Sequence, residues 1–358
     1  MTTETLVETW FAKATSILPT NGSWREKARQ RLREQTRPEG SLGELELYLE
    51  QIVSIQAKER PSVSKKRIIV FAGDHGVEAE GVSLYPREVT PAMVYNFLSG
   101  GATISAFARS VRAEVEVVDV GVDYEFESAP HLVSRKIRRG TSNIKEKQAM
   151  TSSELFQALE VGWERAAQAE KDGVEILGIG EMGIGNTTAA SAVISALTKT
   201  DPKKVTGKGT GIDDVMLERK IRVIEEALQA NRAYLTDPFS ILQSLGGFEI
   251  AAISGCVLGA AHFKIPCVID GWIASSGSLI PIQLNPSVLD YLFFDHESEE
   301  KGHRILLEEL DVRPLLKLSM RLGEGTGACL AMSILEAAVS AYNEVATFKE
   351  AKVARKKQ

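Results

Sequence analysis

A carboxylate between two glycines near the C-terminus is the first candidate for chemistry. Glu324 lies between Gly323 and Gly325 in RLGEGTGACLAM, before an apolar stretch that predicts a helix with Thr326 as its N-cap. A carboxylate held at such a turn can accept a proton from a bound ligand. It can also be a favourable charge beside a helix N-terminus, and on the residues alone that second interpretation is favoured.

A glycine-rich turn in VEILGIGEMGIGNTT offers a place for phosphate. Gly178, Gly180 and Gly183 fit the GxGxxG pattern in which a helix N-terminus receives a pyrophosphate. The acidic residue expected about 20 positions later would be Asp201, but it lies in the loop-like sequence TDPKK. The dinucleotide signal is therefore weak. Backbone N–H groups at the start of a helix beginning at Asn186 suit a single phosphate.

Three further segments carry polar residues. Lys208 in TGKGTGIDD is a cation between glycines, where a ligand could approach the backbone closely. Asp74 and His75 follow a predicted strand, although a lone histidine is more often structural. His296 and His303 stand seven apart without an HExxH core, so we expect no metal.

Composition excludes several classes of protein. The chain of 358 residues has 44% hydrophobic and 25% charged residues, with a net charge of -6 and a pI of about 5.6. An acidic chain has no general attraction to nucleic acid or anionic membranes, so neither is an expected partner. The N-terminus lacks the features of a secretory signal. The longest charge-free run, 271–289, is interrupted by two prolines and several serines, so we expect no transmembrane segment. We expect a cytoplasmic protein. Its three cysteines, Cys256, Cys267 and Cys329, form no CxxC pair, and we expect them to be small residues of the core.

The polar segments require a scaffold, and the order of apolar runs predicts one. Residues 1 to about 60 have helical spacing. After Pro61, five short β-branched runs end in glycine or an acid and predict buried strands: RIIVFAGDHG, VEVVDVGVD, VEILGIGEMG, PCVIDGW and YLFFDHES. Helical patterns cover roughly 90–109, 151–171, 186–198, 214–230, 247–262, 299–309 and 326–345. This alternation predicts an α/β fold with a parallel sheet, helices on both faces, and ligands at the carboxyl ends of the strands.

Seven segments together resemble one enzyme family. In order over residues 71–330 they are GDHGV, GVSLYPREVT, GEMGIGNTTAASA, GKGTGIDD, SLGGFEIAAISG, DHESEEKGH and LGEGTGA. They resemble the nicotinate-nucleotide:dimethylbenzimidazole phosphoribosyltransferases. The resemblance implies transfer of the phosphoribosyl group of nicotinate mononucleotide to 5,6-dimethylbenzimidazole, giving nicotinate and α-ribazole 5′-phosphate for the lower ligand of cobalamin.

The same resemblance implies an architecture and no cofactor. It implies a Rossmann-like large domain over 61–312 and a small helical domain from both chain ends, 1–60 and 313–358, of which the last part is a basic tail. It also implies a homodimer with sites near the subunit contact. Nothing in composition or spacing bears on the dimer.

Carried over residue by residue, the resemblance makes Glu324 the general base. It implies that the phosphate and ribose are held by Glu181, Gly183, Gly185, Asn186, Thr187, Lys208 and Ser298. It implies that the acceptor base is bordered by Ser83, Tyr85 and Glu88. Some relatives have Gln beside this Glu where Arg87 stands, which leaves the preferred acceptor open.

Two other functions remain. An NAD(P)-dependent oxidoreductase would use the GxGxxG turn and would need an acidic ribose-binding residue at the end of a second strand. A non-catalytic nucleotide-binding regulator would bind the mononucleotide and ignore the acceptor base. The presence of Glu324 weighs against this regulator.

Overall fold

The elements follow the predicted alternation of strands and helices. A computed structural model describes residues 3–209 and 211–354. The strands are β1 (Lys66–Gly73), β2 (Ala113–Gly121), β3 (Leu132–Ser134), β4 (Ile176–Met182), β5 (Cys267–Ile269) and β6 (Leu292–Phe294). The α-helices are α1 (Thr3–Thr15), α2 (Gly22–Glu34), α3 (Glu44–Gln56), α4 (Val89–Leu98), α5 (Thr103–Val111), α6 (Ser152–Lys171), α7 (Asn186–Thr198), α8 (Pro202–Val205), α9 (Asp214–Ala230), α10 (Pro238–Leu245), α11 (Phe248–His262), α12 (Gly271–Leu284), α13 (Lys301–Glu309) and α14 (Thr326–Glu344). Short 3-10 helices cover Gly76–Glu80, Arg232–Tyr234 and Pro286–Tyr291.

The six strands form one parallel sheet in the order β3-β2-β1-β4-β5-β6. All eight residues of β1 are buried, as expected for a central strand of a sheet flanked by helices. The predicted α/β fold class is therefore confirmed. The strand order reverses between β1 and β4, and ligands in open α/β sheets bind outside the carboxyl ends at such a point.

Two helices show how tightly the layers pack. Every residue of α11 from Phe248 to Ala261 is buried, and α11 lies against α6 and β1. A Cβ on Gly162 of α6 would lie 1.8 Å from the carbonyl oxygen of Ala252. Glycine is required there because the two helix backbones nearly touch. The rigid layer that results supports the loops at the strand ends.

Several features differ from the predicted elements. The helix expected over 90–109 is two helices, because the chain turns at Gly100, whose φ is 79°. Strand β3 and helices α8, α10 and α12 were not predicted. Helix α12 is buried on all sides, so its sequence lacks the apolar periodicity that marks a surface helix.

The two chain ends contact each other. The Arg31 guanidinium of α2 donates hydrogen bonds to the carbonyls of Tyr342 and Asn343, and a β-bridge joins Gln35 to Thr347. Helix α14 packs against α3 and also against β4 and β5. A small domain built from both ends stays a prediction, and part of the basic tail lies outside the described residues. Among the described helices, none has the length and hydropathy needed to cross a membrane.

Candidate active site

One cavity of about 410 Å³ lies where the predicted site residues converge. Its wall comes from the segments that follow β4, β5 and β6, from the turn before α14, and from α4. We call it the strand-end cavity. Its position agrees with the rule for open α/β sheets, because neighbouring parallel strands end at the same edge.

Glu324 lies in the wall of the strand-end cavity in an unusual backbone conformation. Its φ is 66°, and those of Gly323 and Gly325 are 82° and 87°. A Cβ on Gly180 of β4 would lie 2.4 Å from the carbonyl carbon of Glu324, so the turn rests directly on the strand. Three successive left-handed residues cost free energy at Glu324, and the close packing holds them.

The environment of Glu324 favours its protonated form. The side chain is buried, and burial raises the pKa of its carboxyl. The Ile104 N–H at the start of α5 donates to Glu324 Oε2 over 3.5 Å, which opposes that rise. A carboxylate with a raised pKa inside a cavity is suited to accept a proton. The prediction that Thr326 is the N-cap of α14 is wrong. Gly325 takes that position, and Thr326 is the first helical residue.

Glu181 ends β4 and is a second buried carboxyl in the wall. Burial, together with the nearby Glu249 and Glu324 carboxylates, raises the pKa of Glu181 to about 8. Glu181 is therefore mainly protonated at neutral pH. The Asn186 side-chain amide donates to Glu181 Oε2, and this contact ties the end of β4 to the start of α7. A protonated carboxyl can donate to, and accept from, the hydroxyls of a sugar.

The turn between β4 and α7 is built from glycines that meet the rest of the chain. A Cβ on Gly183 would lie 2.1 Å from the carbonyl oxygen of Gly73. Gly185 is the N-cap of α7 with a φ of 94°, and it does not line the strand-end cavity. Thr187, in the first turn of α7, does line it. The predicted helix N-terminus therefore faces the cavity through Asn186 and Thr187.

A lysine that the sequence analysis did not select lies beside Thr187. Lys220 of α9 is almost completely buried, and its Nζ donates to Thr187 Oγ1 over 2.7 Å. Burial lowers the pKa of Lys220 to about 8, and the Glu300 carboxylate opposes this effect. Within the described part of the chain, Lys220 has no salt-bridge partner. A buried cation without a paired carboxylate is suited to bind an anionic ligand.

Lys208 differs from Lys220 in its surroundings. Its side chain is half-exposed, and its Nζ pairs with Asp214 over 2.7 Å. Neither lysine lines the strand-end cavity, although Gly209, next to Lys208, does. Sequence analysis selected Lys208 because of its glycine neighbours. A different signal marks Lys220, since it occupies the same helical stripe as the buried Val223, Ile224 and Ala227.

Of the three residues predicted to border the acceptor base, Tyr85 lines the strand-end cavity and is half-exposed. Ser83 does not line it, and its hydroxyl accepts from the Tyr85 N–H over 3.2 Å. Glu88 is exposed at the start of α4, outside the cavity. Arg87 is directed to Asp123, with 2.8 Å between Nη1 and Oδ2. The remaining wall near Tyr85 is apolar and includes Val89, Met93, Met182, Ile184 and Leu322.

Below the Glu324 turn lies a buried group of two aspartates and a histidine. The Asp270 carboxylate accepts from the N–H groups of Gly325 and Gly327, over 2.8 and 2.9 Å. His296 Nδ1 lies 2.8 Å from Asp295 Oδ1. Burial and the adjacent Asp295 raise the pKa of Asp270 well above its usual value.

The same three side chains place potential metal-ligand atoms within 4.8 Å of one another. Both Asp270 oxygens already accept backbone N–H groups, and His296 Nδ1 already faces Asp295. The Asp270 bonds hold the turn at Glu324. The expectation that no metal is used stays a prediction.

The remaining predicted positions have structural surroundings. His75 Nε2 lies 2.5 Å from Glu249 Oε1 in a buried pair, and neither residue lines the strand-end cavity. The GxGxxG glycines pack against the protein itself, since a Cβ on Gly178 would lie 2.3 Å from Ile68 Cδ1. Asp201 caps the four-residue helix α8 rather than ending a strand. The pattern that favoured a dinucleotide therefore has a packing explanation.

The chain is similar to known proteins in sequence and in fold. The family model described as phosphoribosyltransferase matches residues 17–353. The nicotinate-nucleotide–dimethylbenzimidazole phosphoribosyltransferase of Chlorobium chlorochromatii is 50% identical over 341 residues, covering 95% of this chain and 96% of the relative. The protein of the same name from Geotalea uraniireducens is 50% identical, covering 94% and 96%. The crystal structure of CobT from Thermus thermophilus has a TM-score of 0.90 and 42% identity, and the match covers 93% of this chain and 100% of that one.

Proposed function

Because the chain belongs to the nicotinate-nucleotide–dimethylbenzimidazole phosphoribosyltransferase family, we propose that it transfers the 5-phosphoribosyl group of nicotinate mononucleotide to 5,6-dimethylbenzimidazole. The products are nicotinate and α-ribazole 5′-phosphate, the nucleotide of the lower ligand of cobalamin. One observation supports the assignment of its chemistry. The wall of the strand-end cavity combines apolar side chains with the Glu324 carboxylate, and the buried cation Lys220 lies directly behind it, bonded to the lining residue Thr187.

The leaving group needs no acid. The ring nitrogen of nicotinate mononucleotide is cationic, so it departs from C1′ as a neutral pyridine nitrogen. The acceptor base has the opposite requirement. Its imine-type nitrogen attacks C1′ and would become cationic unless the N–H on the other ring nitrogen loses its proton. Attack from the opposite face converts the β-linkage into an α-linkage.

Glu324 is the proposed general base. Burial raises its proton affinity, and the turn that Gly180 and Asp270 support keeps its carboxylate in the cavity wall. The base accepts the benzimidazole proton as the new C–N bond forms. The protein also holds two reactants in one cavity, which supplies much of the acceleration.

Lys220 and the start of α7 are the proposed phosphate site. Lys220 supplies the charge from behind the wall through Thr187, and Thr187, Asn186 and Ser298 supply polar groups in the wall itself. This assignment replaces Lys208, whose Nζ is bonded to Asp214 at the surface. Glu181, protonated near neutral pH, is the proposed partner of the ribose hydroxyls.

The apolar end is the proposed pocket for the aromatic acceptor. Tyr85, Met93 and Met182 offer flat or adaptable surfaces for a benzimidazole ring. Ser83 supports the loop through the Tyr85 N–H rather than touching the ligand. Glu88 is exposed outside the strand-end cavity and is not part of this proposed pocket.

A homodimer is the proposed assembly. Two cavity-wall residues, Tyr85 and Leu322, are about half-exposed, and the nearby Leu84 and Leu318 are exposed as well. Apolar side chains at the rim of the site would be covered by a second subunit. We also propose a cytoplasmic location, since Cys256, Cys267 and Cys329 are all free thiols, as in a reducing compartment.

The test is nicotinate release from nicotinate mononucleotide, with and without 5,6-dimethylbenzimidazole, with the products separated by chromatography. Release that depends on the acceptor and equals the α-ribazole 5′-phosphate formed supports the proposal. Binding of the mononucleotide without release, with benzimidazole, adenine or a phenol also tried as acceptor, would instead favour the regulator. Gel filtration with light scattering tests the dimer separately.

A further inference from the structure

A buried series of hydrogen bonds joins two loops of the strand-end cavity. The Ser298 N–H donates to His303 Nδ1 over 3.0 Å. His303 Nε2 lies 3.1 Å from Ser275 Oγ, and the Ser275 hydroxyl donates to the Gly271 carbonyl over 2.6 Å. Neither His303 nor Ser275 lines the cavity, whereas Ser298 and Gly271 both do.

These contacts leave one protonation state for the ring. The Ser298 N–H can only donate, so His303 Nδ1 must be an acceptor. The Ser275 hydroxyl gives its proton to Gly271, so His303 Nε2 carries the ring proton and donates it to Ser275 Oγ. Burial lowers the pKa of His303 to about 4, which agrees with a neutral ring. Both ring nitrogens and the Ser275 hydroxyl then have partners.

The two loops come from different strands. Gly271 follows β5 and begins α12, while Ser298 follows β6 and precedes α13. A direct connection between them is therefore a tertiary contact that no local turn provides. The Ser298 hydroxyl also accepts from the Glu300 N–H over 3.3 Å. The position of Ser298, which His303 holds, therefore also orients the turn that carries Glu300.

We propose that His303, acting through Ser275, is a positioning residue that sets the spacing of the two loops around the phosphoribosyl group of the substrate. The inference rests on the proposed function, and it adds a residue that does not itself touch the ligand. Loss of the connection lets the loop of Ser298 move relative to Gly271. The mononucleotide then binds less tightly, while the acceptor pocket at Tyr85 is unaffected.

Two serines of one helix give a matched experiment. Ser275 and Ser278 are both fully buried in α12, and both hydroxyls donate to helix carbonyls, but only Ser275 of the two contacts His303. For Ser275→Ala we expect the KM for nicotinate mononucleotide to rise about fivefold, because this change corresponds to the loss of one buried hydrogen bond. Its kcat and the KM for dimethylbenzimidazole should stay within about twofold of the wild-type values. Ser278→Ala should leave all three constants near those of the wild type.

Variants of the histidine supply the rescue. In His303→Asn, the amide oxygen can still accept from the Ser298 N–H, whereas His303→Leu loses both bonds. We expect mononucleotide affinity to fall in the order wild type, His303→Asn, His303→Leu.

The inference is overturned if Ser275→Ala matches Ser278→Ala, or if kcat and both KM values change together, as general destabilisation would cause. Calorimetric binding of nicotinate mononucleotide is measured on the same proteins. It separates the two ideas, because a wild type without turnover refutes the proposed function, while equal binding by both serine variants refutes the positioning role.

Discussion

Lys220 provides a strong test of the proposed phosphate site. The change is Lys220→Met, which keeps the volume of the aliphatic stem and removes the charge. Lys208→Met is the matched control, because it removes the cation that the local sequence favoured and that pairs with Asp214 at the surface. The measurement is the Kd of nicotinate mononucleotide by calorimetry, which needs no turnover.

The size of the effect follows from the burial of Lys220. A hydrogen bond to a charged group contributes about 1.5–3 kcal/mol, so Kd should rise roughly 10- to 150-fold in Lys220→Met. The Coulomb attraction at about 4 Å with an effective dielectric constant of about 20 is about 4 kcal/mol, which exceeds this range before desolvation is subtracted. Lys208→Met should change Kd by less than about twofold, since exposed pairs contribute little.

The pH dependence gives an independent check. Lys220 has a pKa of about 8 in the free protein because burial disfavours its charge. Bound phosphate stabilises the protonated form, so binding above that pH must also take up a proton. The wild-type Kd should be level from about pH 7, where a phosphate ester is mainly a dianion, to about pH 8, and should then rise by about tenfold per pH unit. In Lys220→Met this rise should be smaller, because only the deprotonation of Glu181, whose pKa is also about 8, then remains to weaken binding.

Two results would refute the reasoning about Lys220. One is a Lys220→Met protein that binds the mononucleotide as tightly as the wild type. The other is a Lys208→Met protein that loses the larger share of affinity. Circular dichroism and thermal unfolding of both variants show whether a weakened Kd reflects the site or the fold.

Three other predictions follow. Glu324→Gln should lower kcat by about 10²- to 10⁴-fold with mononucleotide binding largely intact, and a turnover like that of the wild type would remove the proposed base. Gly180→Ala should lower the free energy of unfolding by roughly 1–3 kcal/mol, since the new Cβ would lie 2.4 Å from the Glu324 backbone, and an unchanged Tm would contradict that packing. His303 has a pKa of about 4 in the folded protein against an ordinary value of 6.5. Its contribution to the free energy of unfolding is therefore complete above about pH 6.5 and is lost as the pH falls toward 4. Urea unfolding should show up to about 3 kcal/mol of this loss in the wild type and less in His303→Asn; equal pH profiles would refute it.

Much of the fold could be predicted because its signals are local. Buried strands of a parallel sheet are continuous apolar runs, and β1, β2, β4, β5 and β6 all carry this pattern before a glycine or an acid. Strand β3 has only three residues, which are partly exposed, so its pairing with β2 leaves little mark in the sequence. Helix α12 is buried on every side and therefore shows no amphipathic period.

The candidate site divides in the same way. The glycine-flanked turn of Glu324 and the β4–α7 turn could be found from the sequence, since a tight turn at a strand end or a helix start needs glycine at defined positions. The choice between Lys208 and Lys220 could not be made from the sequence. Lys208 is flanked by glycines and Lys220 lies on the apolar side of α9, and neither local pattern shows which ammonium group lies beside Thr187.

The sequence by itself determined the fold class, the family, and the segments that line the cavity, because these depend on residue type and short spacing. The tertiary structure alone decided which charges are buried together. Lys220 meets Thr187 across 33 residues, Glu324 meets Ile104 across 220, and Ser275 meets His303 across 28. A pKa depends on the solvent and charges around a group in space, and neither can be read from its neighbours along the chain.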